Sequence, residues 1–485
     1  MNTRQMAAVV AAAVTLMVAT PQVARAGAER RPPANVRITP DNRAGSFVRS
    51  DGGTDAVLER CSTGRRPQAE AGVALDPSAP EVVVVGGQTV CPDLSVSLGY
   101  FDLGWAGIYR STDGGRSFRA SVVPGYPGDT SPAGLESPAH GMRQTAEHAL
   151  AFDSTGRLFY AFIACSRPRQ SSCRNFVAVY DDHGATYRYT VLLSTLSPPS
   201  VSGVDEGFGL WGSIGVDRTG GAHDGRVYVT WNLFVLYAQV DPLPEQAVPM
   251  SLTMLSRSAD HGRTWSPPVP VMPPAGVPYS SDVAVGPDGA VHVVTRNIGQ
   301  TGPLEQVSTA VGGMDAVLLA SSHDGGVTFG PPVLVDRIRD FNHARYTTGI
   351  QSENPGVCGD GYFACDTPYT AMDDGSNAVV VADTVGVHVF WNGRRGAGQS
   401  KVFVRSSLDG ASFVAPARTL DDVAVGHQDR VEAVSDRGVI TVTFMDSRAD
   451  PSYDADRPQG NTLDGRTVAP YIDTWAAQSR DGGVT

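Results

Sequence analysis

The feature that most constrains this chain is a short turn motif that returns six times. Residues 111–118 (STDGGRSF) read S-x-D-x-G-x-x-aromatic, and the pattern returns at 258–265 (SADHGRTW) and 322–329 (SHDGGVTF). Residues 180–187 (YDDHGATY) lack only the leading serine, and 407–413 (SLDGASF) are one residue shorter. Residues 479–485 (SRDGGVT) carry every element except the closing aromatic. These residue types suit a tight hairpin. The aspartate accepts from backbone N–H groups that the turn leaves unpaired, and the glycine takes positive φ without a Cβ clash. Asp113, Asp182, Asp260, Asp324, Asp409 and Asp481 are spaced by 69, 78, 64, 85 and 72 residues. Each interval has room for a sheet of four strands of about 5–6 residues with their loops. Runs such as 226–231 (RVYVTW), 290–295 (AVHVVT), 386–391 (GVHVFW) and 438–444 (GVITVTF) supply β-branched and aromatic strands. The expectation is an all-β fold of six repeated antiparallel sheets.

Residues 1–26 read as an export signal. Arg4 gives a positive start, residues 6–19 are apolar but too short to span a bilayer, and Ala24-Arg25-Ala26 is a small-x-small cleavage site. The expected mature product, 27–485, is secreted and has no later membrane span. The net charge of −12 becomes −14 once Arg4 and Arg25 are removed, which argues against nucleic acid as a partner. Six cysteines fall into neighbouring couples: Cys61 and Cys91, Cys165 and Cys173, Cys358 and Cys365. Fifteen pairings are open to six cysteines, and local disulfides are the simplest in an oxidising compartment.

The six turns and their spacing resemble the Asp-box, or BNR, repeat of the sialidase superfamily. That resemblance implies a six-bladed β-propeller with four-stranded antiparallel blades and one box between the outer two strands of each. Because the sixth box stops before its aromatic, the last blade is expected to be incomplete: either the sequence is a fragment, or a strand from residues 35–49 completes that blade. The box aspartates themselves read as turn caps at the rim, not as catalytic groups.

The resemblance implies a sialidase-like glycoside hydrolase acting on terminal sugars, with sialic acid first among them, of an extracellular glycan or glycoprotein. Such chemistry needs arginines to clamp a carboxylate, a tyrosine nucleophile with a carboxylate partner and an acid/base. Candidates for the clamp are Arg37, in a Val36-Arg37-Ile38-Thr39-Pro40 segment that resembles the early Arg-Ile-Pro of sialidases with a threonine inserted, and Arg296, Arg395 and Arg448 near strand ends. The structural alternative for the strand-end arginines is an inter-blade salt bridge, as Arg448 could form with Asp446 or Asp450. Tyr453 is the candidate nucleophile, with Tyr471 and Tyr346 behind it; Asp205, Glu206 and Glu353 are the candidate acids. Tyr453 is also readable as a packed loop aromatic. His140, His148, His343 and His427 lack zinc spacing, so no metal is expected. The stretch holding Asp360, Asp366, Asp373 and Asp374 lacks the spacing of a calcium loop, leaving Ca²⁺ as an option no motif supports. A monomer is expected. The competing class is a non-catalytic propeller that binds glycan or protein; a polysaccharide lyase on the same scaffold is a third reading.

Overall fold

The computed structural model describes residues 36–39, 43–63, 68–89, 96–97, 102–166, 173–194, 206–236, 250–272, 277–298, 316–338, 378–395, 399–436, 438–451, 453 and 473–483. They form a six-bladed β-propeller. The inner strands of blades 1 to 6 are Gln68–Leu75, Gln144–Phe152, Glu206–Val216, Val277–Val285, Ala378–Asp383 and Gln428–Asp436. From each, the chain steps outward through antiparallel neighbours; the first five sheets have four strands and the sixth has three among the described residues. Consecutive inner strands pack on one another from blade 1 through blade 6. The signal-like segment 1–26 lies outside the described residues. None of the described helices is long and apolar enough to cross a membrane.

Burial explains the strand composition. A second strand lies between two neighbouring blades, so both its faces are covered, and all eight residues of Leu158–Cys165 (LFYAFIAC) are buried. Each interface between blades has its own apolar cluster. Tyr160, Phe162 and Phe176 serve blades 1 and 2, Phe159, Val216 and Trp231 blades 2 and 3, and Val381, Phe390 and Ile440 blades 5 and 6. The faces not covered this way are on blades 1 and 6, where Val73, Leu75 and Val434 are exposed. Residues near 47 do not complete blade 6: Phe47 bridges Ala120 in parallel on the outer strand of blade 1, and Val48 N–H donates to Ala120 O at 3.3 Å. That placement corrects the alternative in which residues 35–49 close the last sheet.

The repeat turns are built as their residues dictate. Asp113 Oδ1 accepts from Ser111 Oγ at 2.8 Å and from the Arg116 and Ser117 N–H groups at 2.9 Å, while Oδ2 accepts from Ser117 Oγ at 2.6 Å. Asp260 and Asp324 repeat that set. Asp182 accepts from Thr186, Asp409 from Ser407 and the Ala411 N–H, and Asp481 from Ser479. All six carboxylates are occupied in closing their own turns.

Two of these turns also lock blades together. After the aspartate, four of them have glycine at positive φ, but blades 2 and 3 place His183 (φ 58°) and His261 (φ 57°) there. Left-handed backbone costs a side-chain residue about 1–2 kcal/mol. Each histidine reaches a buried carboxylate on the preceding blade: His183 Nδ1 to Asp76 Oδ2 at 2.7 Å, and His261 Nδ1 to Asp153 Oδ2 at 3.4 Å. At the equivalent contact of the next blade the turn residue is Gly325 and Asp217 Oδ2 has no hydrogen-bond partner among the described residues; Asp153 Oδ2 likewise has no hydrogen bond, meeting His261 only as the longer ion-pair contact. Burial pushes the Asp76 carboxyl up, but the Ser78 hydroxyl and His183 outweigh it and hold it below the usual range. Its stabilisation is therefore fully present above about pH 4 and is lost as pH falls through the depressed value. His183→Ala keeps the strain and loses the pair, and is expected to cost about 1–3 kcal/mol. His183→Gly is expected to be about 1 kcal/mol more stable than the alanine variant in urea unfolding. Equal stability of the two variants would contradict the strain assignment.

The disulfide expectation holds where it can be examined. Cys165 and Cys173 face each other across the second and third strands of blade 2 and are bonded. Cys61 is disulfide-bonded; Cys91, Cys358 and Cys365 lie outside the described residues. The aspartates at 360, 366, 373 and 374, together with His343 and Tyr346, also lie outside them.

Candidate functional site

Two polar groups stand out, one on the inner strands of blades 4 and 6 and one gathered from several strands of blades 5 and 6. The first is a pair of carboxyls. Asp282 stands in the inner strand of blade 4, with Val283 packed in the blade 3–4 cluster and Ala284 against the blade 4–5 cluster. Asp282 Oδ1 accepts from Ser213 Oγ of blade 3 at 2.6 Å, and Oδ2 from the Val380 N–H of blade 5 at 2.9 Å. One carboxyl therefore ties three consecutive blades beside the axis. Burial raises its pKa, partly offset by the Ser213 hydroxyl and the two backbone donors.

Glu432 occupies the matching place in blade 6. Asp282 and Glu432 each stand three residues before the inner-strand residue whose partner, Val291 or Ile440, pairs with the turn serine. Val431 and Ala433 pack against blade 5, so strand alternation turns Glu432 and Val434 to the other face. Glu432 is open to solvent, yet loss of hydration is the main cause that pushes its pKa up to about 7. The negative charge of Asp282 adds to the rise, and Arg430 opposes it.

The second group lies at the other end of the same strand, between blades 5 and 6. Arg448 Nη2 bonds Asp421 Oδ2 at 2.6 Å and Asp446 Oδ2 at 2.5 Å, and its guanidinium lies 4.0 Å from the centre of the Trp475 ring. Gln428 Nε2 donates to both carboxylates, at 2.8 and 2.9 Å. Lys401, the one lysine in the sequence, is fully buried 3.5 Å from Asp421. Burial lowers its pKa against the pull of Asp421 and Asp446. Next to this layer, Ser447 N–H donates to His427 O at 3.0 Å and His427 N–H to Ser447 Oγ at 2.9 Å. The turn that follows brings the Tyr453 ring to 5.1 Å from His427.

The structure thus brings Arg448 and Tyr453 onto one turn and gives Arg448 the salt-bridge role. Arg296 is buried in the second strand of blade 4. The strand-end arginines do not form one row. Arg395 and Arg448 stand eight residues beyond Val387 and Ile440, which pair with the turn serines, whereas Arg296 stands five beyond Val291. Arg37 is exposed. Arg395 and Glu206 lie on strands, paired with Gln399 and Leu236. Asp205, Glu353 and Tyr471 are outside the described residues. Sequence reasoning missed Asp282, Glu432, Asp421 and Lys401. The available signal was a lone acid inside a β-branched run, as in 281–285 (SDVAV) and 431–434 (VEAV). Among the described residues no cluster of three or more His, Cys, Asp or Glu could hold a metal ion.

No protein-family model matches the sequence, and no curated protein matches it. Solved structures do. A protein of unknown function from Dyadobacter fermentans is 13% identical, with a TM-score of 0.45 over 86% of this chain and 94% of that one. A Hadza microbial sialidase is 16% identical, with a TM-score of 0.42 over 83% and 67%. Trypanosoma rangeli sialidase, solved with the inhibitor DANA, is 11% identical, with a TM-score of 0.41 over 79% and 53%. At these identities and scores the likenesses bear on neither substrate nor chemistry.

Proposed function

We propose that this protein is an exported, glycan-acting propeller that hydrolyses terminal sugars, with Glu432 as the proton donor to the leaving oxygen. The reading rests on an exposed carboxyl on the inner strand of blade 6, with its pKa pushed up to about 7 chiefly by loss of hydration and further by the charge of Asp282. Glycosidic cleavage needs such an acid, and proton transfer is most effective when the donor's pKa lies near the working pH. Asp282 serves the site by charge: its carboxylate strengthens Glu432's hold on the proton and is itself pinned by three blades. The resemblance of the six repeat turns to those of sialidases supports sugars as substrates, and the apparent signal segment supports export.

Sialic acid is the narrower form of this reading and depends on an arginine clamp. Arg448 is engaged by two carboxylates, and that engagement favours either a neutral sugar or the second reading, a propeller that binds glycan without cleaving it. A panel of 4-nitrophenyl glycosides, one sialoside beside several neutral sugars, separates these. Turnover of at least one member is expected. Sugar binding without any turnover would replace the hydrolase with the binder.

A further inference from the structure

We propose that His292 and His388 make the blade 4–5 and blade 5–6 interfaces acid-sensitive, protonation of either ring lifting the repeat turn that closes over it. In the second strand of blades 1 to 5, the residue that pairs with the first residue of the repeat turn is followed by Val84, Phe159, Tyr228, His292 and His388. A glycine of the next blade's turn closes over each. A methyl group added at Gly184, Gly262, Gly326, Gly410 or Gly483 would stand 2.9–3.3 Å from the Val84, Phe159, Tyr228, His292 or His388 side chain in turn. One packing position is thus repeated five times, filled by Val, Phe and Tyr in blades 1 to 3 and by imidazole in blades 4 and 5.

Both rings are buried. His292 Nδ1 shares a hydrogen bond with Ser321 Oγ at 2.9 Å, and His388 Nδ1 with Ser406 Oγ at 2.7 Å. An imidazolium donates from both nitrogens, and His388 Nε2 is buried with no hydrogen-bond partner among the described residues. A cation there gains hydration only if the blade 6 turn moves away. Loss of hydration takes the His292 pKa down to about 4, against the pull of Asp288 and Asp409, with the His323 ring adding to the fall. Burial lowers His388 likewise, against Asp383 of its own blade and with Arg418 of the outer strand adding to the fall. The charged residues of the turn above it, Arg480 and Asp481, bond Gln478 and Ser479. A hydrated imidazole takes up its proton near pH 6.5 and the closed His292 ring near 4, so between those values the open turn holds the extra proton. Opening of the blade 5 turn therefore grows about tenfold per pH unit on acidification, roughly twentyfold from pH 7 to 5. The same two interfaces join the blades that carry Asp282 and Glu432.

The test is hydrogen exchange of the full chain, read by mass spectrometry at pH 7 and pH 5 and corrected for the intrinsic pH dependence of exchange. Peptides over 407–413 are expected to lose about tenfold or more of their protection at pH 5, and peptides over 479–483 to lose protection with them. Peptides over 111–118 and 258–265 are expected to keep theirs. His292→Gln and His388→Gln can still bond the serine but cannot ionise in this range. Each is expected to keep the protection of its own overlying turn at pH 5. His292→Phe and His388→Phe, patterned on Phe159, give the same comparison should a glutamine disturb the packing. Glu432 shifts global stability in the opposite direction over this range, so local exchange is the deciding readout. Equal loss over all the turns, no loss in wild type, or the same loss in the variants overturns the proposal.

Discussion

Glu432→Gln is expected to lower turnover of the active glycoside by about 10²–10⁴-fold, the usual worth of a positioned proton donor. Glutamine keeps the shape and the hydrogen-bonding reach but cannot give up a proton. The pH profile should change in step. Wild type loses activity as pH rises through about 7, where Glu432 ionises, and the residual activity of the variant lacks that limb. Stability gives a second, substrate-free signature. The folded pKa is raised above that of the unfolded chain, so between about 4.5 and 7 the native state keeps a proton that the unfolded state has released. Native stability therefore falls as pH rises across that window, and the glutamine variant should not show this slope. Turnover within a few-fold of wild type would remove Glu432 from the chemistry.

Arg448→Ala is expected to be the most destabilising single change in the blade 5–6 interface, at about 3–5 kcal/mol. The magnitude follows from what is left behind. Asp446 is fully buried and Asp421 is one-quarter exposed, so removing the guanidinium leaves two negative charges beside each other, answered by Gln428, by the Lys401 ammonium 3.5 Å from Asp421 and by the backbone N–H groups of residue 448 and Val423. An exposed salt bridge would be worth about 0–1 kcal/mol, and urea unfolding separates these two cases cleanly. Replacing Arg448 and Asp446 together by residues of similar shape should recover much of the loss, because neither charge is then stranded. A cost below about 1 kcal/mol for the alanine variant would show that the arginine is not the tie between these blades.

The fold was legible because its signal is local and repeated. A turn such as 111–118 declares its own hydrogen bonds through Ser111, Asp113 and Gly115, and sheet-sized spacing turns six such turns into six blades. The pairing of Cys165 with Cys173 was legible for the same reason, being a neighbour across one hairpin. The site was not, because it is assembled from residues far apart in sequence. Asp282 finds its partners in Ser213 and Val380, on two other blades, and nothing near residue 282 announces them. Arg448 was singled out for its place at a strand end, yet its role is decided by Asp421, 27 residues earlier. Burial is equally silent in sequence: His292 and His388 look like ordinary strand polar residues until the next blades' turns are seen to close over them.

The most direct test of the account is the titration of Glu432, followed by carbon NMR of the protein labelled at glutamate carboxyls, in wild type and in the Glu432→Gln variant. One glutamate resonance in wild type should keep its protonated position to about pH 7 and be absent from the variant. Glutamates that are all ionised by about pH 5.5, as free glutamates are, would contradict it.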